Sequence, residues 1–163
     1  MRTVVSNTGP LITLETMRDG YEFIQRLYDK IIVPPEVLKE VSWRLGDPKK
    51  YLQEHQITHL IETQEASSII QVKEFANLHR GEIEAISLAV ELKLGLLIED
   101  RDGRRVANKL CFSISGIAGR VMEALKRQII GKNEGLDKIQ ELFDKKRLNL
   151  ATYKDLTQKI LTS

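Results

Sequence analysis

A chain of 163 residues, 42% hydrophobic and 29% charged, is long enough to bury a substantial core and is expected to fold as one soluble globular domain spanning residues 1–163. Its net charge of +2 and pI near 8.6 permit a nucleic-acid partner without requiring one, because acids and bases are almost balanced. Cys111 is the single cysteine, which excludes a disulfide framework and a cysteine-based zinc site and fits a reducing cytoplasm. The amino-terminal apolar run is too short for a signal peptide, and no stretch approaches the roughly 20 apolar residues of a membrane span, so no membrane association is expected.

In chain order, β-branched and aliphatic runs at Thr3–Ser6, Lys30–Pro34, Leu94–Ile98 and Cys111–Ser115 predict strands, with a weaker edge strand over Ile57–Ile61. Helical periodicity lies between them: residues 10–28 as one helix or a pair turning at Arg18-Asp19-Gly20, a helix opened by Pro34-Pro35 that carries EVLKEV, a loop at Gly46-Asp47-Pro48, and helices over 65–78 and 81–93. From about residue 116 the chain reads as helical, over roughly 117–128, 134–145 and 151–161. Unbroken apolar strands alternating with helices predict an α/β sandwich around a mainly parallel sheet.

Ligands of such sheets collect beyond the carboxyl ends of the strands. That rule selects Asn7 and Thr8 after the first strand, and Glu99, Asp100 and Asp102 after the LGLLI strand. Glu36 and Glu40 lie one turn apart on the EVLKEV helix, and Glu82 and Glu84 lie near the start of the GEIEAISLA helix. Glu84 has almost wholly apolar flanks, and a carboxylate against a core requires a partner or a cation. Glu36 and Glu82 read as solvated side chains. Several carboxylates in one cleft repel one another unless a divalent ion neutralises them, and oxygen-only donors point to Mg²⁺ or Mn²⁺ rather than zinc. Asn7 has a competing reading, a turn amide bonded to its own backbone. Arg101, Arg104 and Arg105 form a basic run that suits RNA phosphates, or alternatively a solvated helix face paired with Glu99 and Asp102. Lys145-Lys146-Arg147 reads as a helix end.

The blocks VVSNTGPLITL, VPPEVLKEV, GEIEAISLAVEL, LLIEDRDGRRVA and ISGIAGRVMEALKR, in this order over residues 3–130, resemble the PIN-domain proteins, in the VapC-like branch catalogued as a domain of unknown function. The resemblance implies a three-layer α/β/α sandwich and an endoribonuclease that uses Mg²⁺ or Mn²⁺. It also implies a possible toxin role beside a small antitoxin protein, and a homodimer. Carried over by position, it places the metal and catalytic set on Asn7, Glu40, Glu84 and Asp100, with Thr8 beside them and Asp102 as a further metal ligand. Asn7 stands where the wider family has aspartate, which removes a full negative charge. The alternative it raises is a PIN-fold binding module that acts through oligomer or partner contacts. A phosphoacceptor receiver and a P-loop protein fit worse, for want of an acid pair after the first strand and of a glycine-rich loop with its lysine.

Overall fold

The computed structural model describes residues 1–71, 73–111 and 113–163. Five strands form one wholly parallel sheet: β1 (Thr3–Ser6), β2 (Lys30–Val33), β3 (Ile61–Thr63), β4 (Leu96–Leu97) and β5 (Ile114–Ser115), in the spatial order β3-β2-β1-β4-β5. Val4 pairs with Ile31, Val5 with both Ile32 and Leu96, and Leu97 with Ser115. Side chains alternate across a strand, and here that alternation separates two cores. Val4, Ile31, Val33 and Leu97 enter one, with Phe23, Leu14 and Val121. Val5, Ile32, Leu96 and Ile98 enter the other, with Ile86, Leu88 and Val106. Both faces of the sheet are therefore covered, and the architecture is the expected three-layer α/β/α sandwich.

The helices among the described residues are α1 (Thr8–Thr16), α2 (Gly20–Gln25), α3 (Pro35–Val41), α4 (Pro48–Glu54), α5 (Arg80–Leu92), α6 (Arg101–Leu110), α7 (Ile117–Lys126), α8 (Lys132–Asp144) and α9 (Leu150–Thr162). None of the described helices is long and apolar enough to cross a membrane. α1 and α2 are the predicted pair, parted where Asp19 turns left-handed at φ 54°. Gly20 is required there, since a Cβ on it would stand 2.0 Å from the Leu14 carbonyl oxygen.

Three expectations change. The Gly46-Asp47-Pro48 loop at once opens α4, because the Asp47 carboxylate accepts from the Lys49 amide and Pro48 suits a first turn. The edge strand does lie at the sheet's edge, but it starts at Ile61; Ile57 and Leu60 instead fill the core from a turn closed by the Leu60 amide on the Ile57 carbonyl. The helix expected over 65–78 is reduced to a 3₁₀ turn at Lys73–Asn77, with Val72 outside the described residues. Its Ser67 and Ile70 amides donate to Glu91 and to the Ser87 hydroxyl of α5, so the segment's backbone is satisfied by a neighbouring helix instead of by itself. Within the run expected as a strand at 111–115, Phe112 likewise lies outside the described residues. Trp43, just after α3, is 72% exposed.

Asp29 clamps the start of the sheet. It accepts from the Arg2 amide at 2.7 Å and the Arg2 guanidinium at 3.0 Å, and these bonds, the guanidinium first, lower its carboxyl to about 2. A lowered folded-state value stabilises the fold above the ordinary 3.8, and that contribution disappears as pH falls through about 2. Asp29→Asn should lower the thermal midpoint at pH 6 and match the wild type near pH 2. An equal difference at both pH values in thermal melts would show that the carboxylate is not what matters.

Candidate functional site

The chain leaves β1 for β2 on one side and, after β3 and α5, returns to β4 on the other side of β1. The carboxyl ends of β1 and β4 thus flank the point where strand order reverses, the usual crevice for a ligand. Asn7 stands in it. Its amide donates to the Leu97 carbonyl at 3.1 Å, which extends the β1–β4 ladder by one residue, and its side chain is 3% exposed. The side chain does not cap α1, and Oδ1 is the buried side-chain oxygen or nitrogen that lacks any hydrogen-bond partner among the described residues. The turn-amide reading therefore does not hold. A buried amide oxygen without a donor costs about 1–3 kcal/mol, which is an unexplained expense unless a ligand completes it.

Thr8, the first residue of α1, donates from Oγ1 to Glu40 Oε2 at 2.5 Å. Glu40 reaches it from α3, whose buried Val37, Leu38 and Val41 fix the helix's rotation. α5 packs against α3 at Gly81, where a Cβ would stand 2.6 Å from Glu40 Oε1. Next to that glycine, Glu82 accepts from the His79 amide at 3.1 Å. Burial, joined by the negative charges of Asp100 and Glu40, holds the Glu82 carboxyl above the ordinary range despite the His79 bond. Asp100 and Glu40 thus both lie close enough to Glu82 to act on it electrostatically.

Asp100 is the N-cap of α6 and accepts from the Gly103 amide at 2.9 Å through Oδ2. Its neighbour Glu99 is committed elsewhere: Oε1 accepts from Thr13 Oγ1 at 2.5 Å and Oε2 from the Ile117 amide at 3.1 Å, which ties α1 to α7 beside Asn7. Asp102 is exposed and lies 3.9 Å from Arg105, so the structure gives it a surface pair.

Glu84 is placed differently from the expectation. It meets the Arg80 guanidinium at 2.8 Å, with Glu36 and Glu65 adding their charge to the same group. Two residues along a helix are about 200° apart around its axis, so Glu82 and Glu84 leave α5 on different sides. The apolar flanks of Glu84 did signal partial burial, at 17% exposure, but the charge is satisfied by its own helix. Sequence reasoning assigned Glu82 to solvent, whereas the fold half-buries it. The signal that could have found it is Gly81, a glycine in a first helical turn where another element comes close. Cys111, half-buried, has its thiol pushed up to about 11 by burial, which leaves little thiolate at neutral pH.

Among the described residues, no group of three or more His, Cys, Asp or Glu side chains is arranged to hold a metal ion as it stands. The donor chemistry of the crevice nevertheless suits a hard cation: an unpartnered amide oxygen and carboxylates of Glu40, Glu82 and Asp100, all oxygen.

A family model described as PIN domain matches residues 3–161. No curated protein matches the chain. Among solved structures, a PilT N-terminus domain protein from the hyperthermophilic archaeon Sulfolobus solfataricus P2 is similar in fold, with a TM-score of 0.52 and 20% identity over 77% of this chain and 94% of that one.

Proposed function

The chain belongs to the PIN-domain family, and on that premise we propose that it is a divalent-metal-dependent endoribonuclease whose site comprises Asn7, Glu40, Glu82 and Asp100. PIN domains generally use divalent metal ions. The observation that carries the reading is the buried, partnerless Asn7 Oδ1 at the strand-order reversal, at the same sheet edge where burial and the charges of Asp100 and Glu40 raise the cost of ionising Glu82. Mg²⁺ or Mn²⁺ would be held by that oxygen and by Glu40, Glu82 and Asp100, and would supply charge neutralisation and a more acidic bound water. The chain's own contributions are positional. Thr8 holds one oxygen of Glu40, the Gly103 amide holds one oxygen of Asp100, and Glu99 locks α1 and α7 around the crevice. The VapC-like resemblance supports the narrower role of a cytoplasmic toxin restrained by a small antitoxin and acting as a homodimer.

Purified protein with Mn²⁺ should cleave single-stranded RNA, and Asp100→Asn should not. Equal cleavage by both would remove the reading. Asn7 in place of an acid, together with the unassembled donor set, favours a second reading: a PIN-fold binding module without turnover. That reading predicts no cleavage and no rise in melting temperature with millimolar Mn²⁺.

A further inference from the structure

Beyond Glu99, on the β5 side of the crevice, a groove of about 940 Å³ runs between α6, the start of α7 and the joint of α8 with α9. Arg101, Arg104 and Arg105 wall it from α6, and Arg147 walls it from the α8–α9 joint, more than forty positions later in the chain. Glu99 is the acid among the lining residues, and both its oxygens already accept hydrogen bonds. Four guanidinium groups against one carboxylate leave the lining at +3 on a chain whose total is +2. Among the described residues Arg101 and Arg147 have no acidic partner, and Arg105 is 69% exposed with only a 3.9 Å approach to Asp102. Arg120 adds a fifth cation under the floor, where its Nε donates to Ser115 Oγ at 3.0 Å. Crowding like charges in one groove is unfavourable unless a polyanion fills it.

The opposite flank of the crevice differs. There the Arg80 guanidinium meets Glu84, with Glu36 and Glu65 adding their negative charge, so this arginine is already compensated. We infer that the groove walled by Arg101, Arg104, Arg105 and Arg147 is the track for the phosphate backbone of single-stranded RNA, so that the strand lies on one side of the acid cluster. This rests on the ribonuclease reading and adds to it: the helical tail becomes part of the substrate site through Arg147, which sequence assigned to a helix end. A single strand fits better than a duplex because Leu148 and Leu156 line the same groove and offer apolar surface to unstacked bases, whose faces a duplex keeps hidden.

The test is fluorescence anisotropy of the full chain with a labelled twelve-nucleotide oligouridine RNA in EDTA, which prevents cleavage. Each phosphate contact on a single strand contributes about 0.7 to the slope of log affinity against log salt, which corresponds to about fivefold in affinity at roughly 0.1 M salt. Arg147→Ala should therefore weaken binding about fivefold and reduce the slope by about 0.7, and Arg101→Ala/Arg105→Ala/Arg147→Ala should weaken it about 100-fold. Arg44→Ala, a control on the exposed stretch after α3, should stay within about twofold. These arginines are exposed, and unchanged melting temperatures establish that the variants are folded. Wild-type affinity and slope in Arg147→Ala would overturn the inference, as would the absence of any RNA binding. Tighter binding of a labelled oligoglutamate, lost in the same variants, would overturn it in favour of an acidic protein segment. RNA bound through these arginines but uncut in Mn²⁺ would uphold the groove and remove the nuclease reading; cutting unaffected by the triple change would do the reverse.

Discussion

Glu82→Gln is expected to reduce Mn²⁺-dependent RNA cleavage about 100-fold, while Glu84→Gln leaves it within about threefold. The two residues share a helix turn and a charge, so the contrast isolates orientation. Glu82 lies in the electrostatic field of Asp100 and Glu40 and is half-buried. Losing its charge removes part of what would hold a cation. Glu84 meets Arg80 across one helix turn, and the exposed arginine can be hydrated when the carboxylate is gone. Initial rates on a common RNA substrate at saturating Mn²⁺, with melting temperatures as the control for folding, provide the measurement. A large loss in Glu84→Gln with little change in Glu82→Gln would mean that α5 presents its other side to the substrate. The glutamine variants preserve size, and so a lost rate cannot be ascribed to a cavity.

The second large effect is conditional. Asn7→Asp should destabilise the metal-free protein by about 3 kcal/mol or more, since it places a charge at a site 3% exposed with no donor to receive it. Asn7 Oδ1 and the Glu99 side chain both flank Gly9, and Glu82 and Asp100 lie at the same sheet edge, so repulsion adds to desolvation. Millimolar Mn²⁺ should then recover much of the lost stability, and the metal-induced rise in melting temperature should be larger in Asn7→Asp than in the wild type. Its cleavage rate at limiting Mn²⁺ should also exceed the wild-type rate, since a full charge replaces a dipole. A midpoint that falls in Asn7→Asp and is indifferent to Mn²⁺ would show that Oδ1 has no cation to meet. The same melts in wild-type protein report whether the amide alone suffices.

Strands and most helices were legible because their signals are local. KIIV and LGLLI are unbroken apolar runs, and a parallel sheet covered on both faces produces such runs. The segment at 65–78 misled for a related reason: Ala66, Ile69 and Ile70 recur at i, i+3 and i+4, whereas the backbone partners that decide its shape are on α5. Asn7 and Asp100 were legible as site candidates by a topological rule that needs only the order of strands and helices.

What the sequence by itself determined is the alternation of buried strands and amphipathic helices, and through it the α/β sandwich with its parallel sheet and the edge where ligands gather. Only the tertiary structure decided which acids face that edge. A helix's rotation about its own axis follows from packing, here from Gly81 of α5 seating against Glu40 of α3, and that contact turns Glu82 inward and leaves Glu84 to Arg80. Only the fold, likewise, brings Arg147 across from Arg101, because no pattern within a window of sequence records which distant segments a core will draw together.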